Sequence, residues 1–187
     1  MAMRGWHWPM FGGERASDRG VPAPALPRRD RAIEDAIRRD RIELRFQPQI
    51  EPATGRIAGV EALARWCGAE SPQELFARAE AAGLAERLSR SIQRKALRAA
   101  GNWRGPLENL RLSINLLPRD LDRPGYGQWL LAEIVDAGLK PQQVTVEIVE
   151  SSLMADSLEV AGRLARLRAA GIRIAIDDVG TGYSSLA

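Results

Sequence analysis

The 187-residue chain has one cysteine, one histidine and two lysines, and each shortage closes off a class of function. Cys67 alone cannot form an intrachain disulfide, and a lone thiol fits a reducing cytoplasm. His7 is the single imidazole and stands near the N-terminus, so a histidine-built metal site or a Ser-His-Asp triad is excluded from the body of the chain. Lys95 and Lys140 are the only lysines, and neither follows a glycine loop as a Walker motif requires. No run of about 18 apolar residues is present, so no membrane-spanning helix is expected. The first residues also lack the apolar segment of a secretory signal.

What is present suits one domain with a substantial core: 45% of residues are apolar and 27% charged. The net charge of +3 is localised. Residues 1–41 hold nine arginines and six acids, whereas 42–187 hold 18 of each sign. The body is neutral, which argues against a nucleic-acid-binding face. Residues 1–29 carry Gly12-Gly13, Pro22, Pro24 and Pro27 without sustained periodicity, and read as a disordered leader.

From Asp30, a helix cap, the pattern becomes regular. A short helix runs to residue 41 with Ile33, Ala36 and Ile37 on one side, and a strand starts at Leu44. Residues 57–66 read as the second strand. Ser71-Pro72-Gln73-Glu74 is a capping box ahead of a helix that stops near Gly83. A longer helix then carries Leu88, Ile92, Ala96, Ala99 and Trp103 at helical spacing. Strands are expected at 110–116, 144–149 and 172–177, with helices opening at Pro124 and spanning about 155–170 between them. Alternating strands and helices imply a parallel sheet with helical crossovers, either a (β/α) barrel or a doubly wound sheet.

Side chains alternate faces along a strand. Leu112 and Ile114 oppose Ser113 and Asn115; Val146 and Ile148 oppose Thr145 and Glu147; Ile174 and Ile176 oppose Ala175 and Asp177. Glu61 shares its face with Gly59 and Arg65. Asn115, Glu147 and Asp177 thus end three strands in matching phase, on the face away from the aliphatic one. In a barrel these groups and Glu61 converge. Carboxylates so gathered repel unless a cation intervenes, and oxygen donors without sulfur or imidazole suit Mg²⁺ or Mn²⁺. Gly180-Thr181-Gly182 lacks the third glycine of a dinucleotide-binding loop, since Ser185 stands there, and reads as a hinge beside the acids.

These motifs resemble the EAL-domain phosphodiesterases of cyclic di-GMP. Glu61-Ala62-Leu63 is the naming motif, Phe46-Gln47-Pro48 looks like the opening strand, and Ser113-Ile114-Asn115-Leu116 is similar to the asparagine strand. Glu147-Ile148-Val149-Glu150-Ser151 and the stretch from Asp177 to Leu186 complete the series. The resemblance implies a partial TIM-like barrel over 30–187, roughly its first five strands, with the first strand antiparallel to the rest. It implies divalent metal on Glu61, Asn115, Glu147, Asp177 and Asp178, with Glu150 anchoring the glycine loop. Gln47 and Arg65 would meet cyclic di-GMP, and hydrolysis would yield linear pGpG. Paired Mg²⁺ or Mn²⁺ ions would activate water and offset charge on phosphate. Homodimers are frequent in the family, and pairing through an open barrel edge is a second expectation.

Val149, Val179 and Leu117 depart from the threonine, phenylalanine and serine usual in the family, and none removes a metal ligand. The family's later lysine, which orients or deprotonates the attacking water, has no counterpart, because Lys95 and Lys140 stand in other segments. The expectation is therefore an incomplete EAL domain without hydrolytic activity of its own. The alternatives are a cyclic di-GMP-binding or protein-interaction module, or a gene fragment.

Overall fold

The computed structural model describes residues 29–149 and 157–177. Most of the expected leader, Glu150, Asp178 and the glycine loop lie outside the described residues.

Asp30 opens α1 (Arg31–Arg38) as its sequence suggests, its carboxylate accepting from the N–H groups of Ala32 and Ile33. Arg78 donates to the same carboxylate through Nε at 2.9 Å and Nη2 at 2.8 Å, which ties α1 to α2 (Pro72–Ala81). The Ser71 cap forms only half of the expected box. Ser71 Oγ accepts from Glu74 N at 3.1 Å, but the Glu74 carboxylate reaches one residue further back, to Glu70 N at 2.6 Å.

Five strands form one sheet in sequence order: β1 (Glu43–Ile50), β2 (Ile57–Arg65), β3 (Arg111–Asn115), β4 (Val144–Val149) and β5 (Arg173–Asp177). β1 runs antiparallel to β2, and every later pairing is parallel. A tight hairpin explains the first pairing; the crossovers through α2 and α3 (Ala85–Gly101), through α4 (Pro118–Asp122) and α5 (Tyr126–Asp136), and through α6 (Ser157–Ala169) explain the others. Gly171 ends the last helical crossover at φ +97, where a side chain would be strained.

The helices cover the aliphatic face of the sheet. Val144, Val146 and Ile148 are fully buried there, packed with Leu97 of α3, Leu130 and Ile134 of α5, and Leu167 of α6. A second apolar cluster joins Ile33 and Ala36 of α1, Leu75 and Ala79 of α2, and Leu88 and Ile92 of α3. The expected stripe of α3 holds through Ala96, then passes to Ala100 rather than Ala99, and Trp103 lies beyond the helix end, half-buried. The short α4 was not expected from the sequence. Its charged run of Arg119, Asp120 and Asp122 masks the helical period, and α5 starts at Tyr126, two residues after the expected Pro124.

Candidate functional site

Parallel pairing sets residues of the four strands β2 to β5 side by side. Glu61 stands opposite Ser113, Asn115 opposite Glu147, Glu147 opposite Ala175, and Val149 opposite Asp177. On the antiparallel side Gln47 stands opposite Glu61, and Gln49 opposite Gly59. Paired residues share a face, so all these positions lie on the surface turned away from the helices.

Two hydrogen bonds describe the shape of that surface. Asn115 Nδ2 donates to Glu61 Oε1 at 2.9 Å, joining β3 to β2. Gln49 Nε2 donates to Glu147 Oε1 at 2.8 Å, joining β1 to β4. At about 4.8 Å per strand, a flat sheet would hold β1 and β4 about 14 Å apart. A direct bond between their side chains requires the sheet to curl, with Gln49 and Glu147 inside the curve. An open doubly wound sheet is thereby excluded in favour of a partial barrel. An open groove of about 930 Å³ wraps the edge of β5, walled on the inside of the curve by Gln49, Arg111, Ser113, Thr145 and Glu147 and beyond β5 by Leu164 of α6.

The family model described as the EAL domain matches residues 30–187. The chain belongs to the EAL domain family. It is 33% identical over 165 residues to the cyclic di-GMP phosphodiesterase NbdA of Pseudomonas aeruginosa, covering 83% of this chain and 20% of that protein. It is 35% identical over 158 residues to the probable cyclic di-GMP phosphodiesterase PdeB of Escherichia coli, covering 82% of this chain and 30% of the relative. The chain thus spans less than a third of the length of these curated relatives. Among solved structures it is similar to the PaMucR phosphodiesterase in complex with c-di-GMP, with a TM-score of 0.76 and 29% identity, covering 83% of this chain and 65% of that one. It is also similar to Klebsiella pneumoniae BlrP1 in a manganese and cyclic di-GMP complex, with a TM-score of 0.68 and 34% identity, over 88% of this chain and 38% of that one.

Within this EAL domain the expected site residues divide into four groups. Glu61 and Asn115 touch, and Glu147 is Asn115's neighbour in register; Glu147 is only 8% exposed. Gln47 is exposed beside Glu61, while Arg65 is half-buried at the end of β2 and donates to the carbonyl of Ala64 at 2.8 Å. Asp177 is described in its backbone alone, at the end of β5. Asp178 and Glu150 lie outside the described residues.

The donor set suits a hard cation. With its nitrogen committed to Glu61, the Asn115 amide offers its oxygen as the coordinating atom. Glu61 and Glu147 add carboxylate oxygens, the ligands preferred by Mg²⁺, Mn²⁺ and Ca²⁺. Among the described residues no three acidic, histidine or cysteine side chains form a metal cluster. Two carboxylates and one amide are what the described part contributes.

Behind the site lies a polar network absent from the sequence-based expectations. Gln93 Nε2 donates to the carbonyl of Asn115 at 3.1 Å, and the Tyr126 hydroxyl donates to Gln93 Oε1 at 3.1 Å. Ser89 Oγ donates to Asp120 Oδ2 at 2.6 Å. Burial pushes the Asp120 carboxyl upward, opposed by the Ser89 hydrogen bond and by the charge of Arg123. Burial raises Tyr126 as well, so its phenol stays a donor. The visible signal for this network was the pair Ser89 and Gln93, polar residues four apart within the apolar stripe of α3.

Proposed function

We propose that this chain supplies the metal-binding strands of an EAL-type site that takes cyclic di-GMP and, in the complete family fold, hydrolyses it to linear pGpG. The observation that carries the reading is the hydrogen bond from Asn115 to Glu61 with Glu147 next in register, which gathers oxygen donors from three strands. Solved neighbours support the ligand and the metal class, since BlrP1 complexes hold cyclic di-GMP with manganese or with calcium. Mg²⁺ or Mn²⁺ is proposed here because both take carboxylate and amide oxygens.

Glu61, Asn115, Glu147 and Asp177 would hold cations, with Asp178 at a second position. Bound there, such ions supply Lewis acidity toward phosphate oxygens and a more acidic water. Asn115 holds Glu61 in place through its amide nitrogen, and Gln93 holds the Asn115 backbone from the helix side. Gln47 would contact the dinucleotide from β1, and Arg65 would offer a guanidinium to phosphate from the end of β2. Glu150 would anchor the glycine loop.

Hydrolysis by these residues alone is not expected. Lys95, on α3, donates to the Asp40 carboxylate at 2.9 Å and to the Ile42 carbonyl at 2.7 Å, on the far side of the sheet from Glu147. Lys140 precedes β4. Neither can orient a water at Glu61 or Glu147. The proposed behaviour is therefore metal-dependent binding of cyclic di-GMP without efficient turnover. A cytoplasmic setting fits the ligand, and no helix among the described residues is long and apolar enough to cross a membrane.

Calorimetric titration of the chain with Mn²⁺, then with cyclic di-GMP, tests this, with chromatography for pGpG. The expected result is Mn²⁺ binding, dinucleotide binding that requires it, and little pGpG. Absence of Mn²⁺ binding would overturn the site assignment, and rapid release of pGpG would overturn the claim that turnover needs further residues.

A further inference from the structure

We infer that Gln49 is a positioning residue of the metal site, reaching across the barrel from β1 to fix the carboxylate of Glu147. The inference rests on the reading of Glu147 as a metal ligand. Nothing in the motif around Gln47 marks Gln49, which lies two residues further along the strand and closer to the hairpin.

Both ends of the Gln49 amide are engaged, and their chemistry sets its orientation. An ionised carboxylate only accepts, so the amide nitrogen must face Glu147. That leaves the amide oxygen toward Ser113, whose hydroxyl donates to it at 3.0 Å. The chain of donors runs from Ser113 through Gln49 to Glu147 Oε1, at 3.0 and 2.8 Å. A flipped amide would set its oxygen against the carboxylate and its N–H₂ against a hydroxyl that can accept, exchanging an attraction for a repulsion at the acid.

The strand between them makes this reach possible. The residue opposite Gln49 on β2 is Gly59. A Cβ at that position would lie 3.3 Å from Gln49 Oε1 and 2.8 Å from the Arg111 carbonyl oxygen. Any other residue there would push β3 or the Gln49 amide aside. The missing side chain leaves a passage through which a β1 residue contacts β3 and β4 directly. Glu147 is 8% exposed, so water contributes little to orienting it. A neutral donor from a separate strand can hold one carboxylate oxygen while adding no charge that would compete with a cation. Outer partners of this kind commonly change metal affinity by about 10- to 100-fold when removed.

The test compares Mn²⁺ affinity, from titration followed by electron paramagnetic resonance of free Mn²⁺, with melting temperature in four proteins. These are the unaltered chain, Glu147→Gln, Gln49→Met and Ser113→Ala. Methionine keeps the length of Gln49 and removes both polar ends. Gln49→Met is expected to weaken Mn²⁺ binding about 10-fold and to change the spectrum of the bound ion, with melting within a few degrees of the unaltered chain. Ser113→Ala, which frees the amide to rotate, is expected to weaken binding about threefold, on the scale of one neutral hydrogen bond. If Glu147→Gln lacks the bound ion while Gln49→Met and Ser113→Ala bind like the unaltered chain, the positioning role is wrong and the ligand assignment stands. If Glu147→Gln binds normally, the ligand assignment itself is wrong. If Gln49→Met loses affinity only in proportion to a lower melting temperature, the role of Gln49 is structural and the inference fails.

Discussion

At the centre of this sheet the helix-covered face is fully withdrawn from water, whereas the inner face buries Ser113 and Glu147 but leaves Gln47 exposed. Toward the helices, Leu112, Ile114, Val144, Val146 and Ile148 are at most 2% exposed and belong to one apolar cluster. Toward the inside of the curve, Ser113 is 1% and Glu147 8% exposed, yet each is held by a directed hydrogen bond. The first face contributes stability through area removed from water. The second holds polar groups in a fixed arrangement, which costs desolvation and gains geometry. Alternation along each strand places the two functions one residue apart. Substitutions on the outer face should therefore act on folding, and substitutions on the inner face on binding.

The largest effect is expected at the acids. Glu147→Gln keeps an acceptor for Gln49 and removes the charge. It is expected to weaken Mn²⁺ binding by about 100-fold, the upper end of what losing an outer partner costs, with melting changed by only a few degrees. Glu61→Gln should behave alike, and calorimetry with thermal melting checks both. If either variant unfolds instead, the inner face carries stability after all.

On the outer face, Leu130→Ala removes a fully buried side chain of α5. It should cost about 2–5 kcal/mol of unfolding free energy, measured in urea. Mn²⁺ affinity per folded molecule should stay within about twofold, because Leu130 touches no inner-face residue named above.

Asp120 belongs to the helix layer behind the sheet, and its effect is read through pH. Burial raises its folded-state pKa above the unfolded 3.8, so its contribution is fully present below that value and is lost as pH rises through the folded pKa. Asp120→Asn keeps an acceptor for Ser89 and removes the titration. The difference in unfolding free energy between the two proteins should therefore shift in favour of the variant from pH 4 to pH 7. A difference independent of pH would contradict the raised pKa.

The smallest effect is expected at Glu133, whose carboxyl is held low chiefly by the Arg94 hydrogen bonds, with Nε at 2.9 Å from both carboxylate oxygens. Its contribution is present above the unfolded 4.5 and lost as pH falls through the folded pKa. Arg94 is 43% exposed, and solvent screens the pair. Glu133→Gln should lower stability by no more than about 1 kcal/mol at pH 7, less at high salt, and by less still in acid.

Much of the outer face is legible in the sequence, because Val144, Val146 and Ile148 alternate with polar residues and that alternation is local. The placement of Glu61, Asn115 and Glu147 on one face was legible through their phase on the strands. The direction of β1 entered only through the resemblance, since a hairpin and a crossover are not distinguished by the strand pattern itself. Curvature was not legible from phase alone, and so neither was the contact of Gln49 with Glu147, 98 residues later. The α4 helix escaped because its charged residues hide the period. The Ser89 and Asp120 pair escaped because a buried acid is recognised by its partners, which come from a different helix.

Anomalous diffraction at the manganese edge, from crystals grown with Mn²⁺, tests the gathering of Glu61, Asn115 and Glu147 around one cation. A manganese peak is expected on the inside of the curve with an oxygen of each of the three at about 2.0–2.3 Å. A peak elsewhere on the chain, or an occupied site that leaves Asn115 and Glu147 uncoordinated, would contradict it.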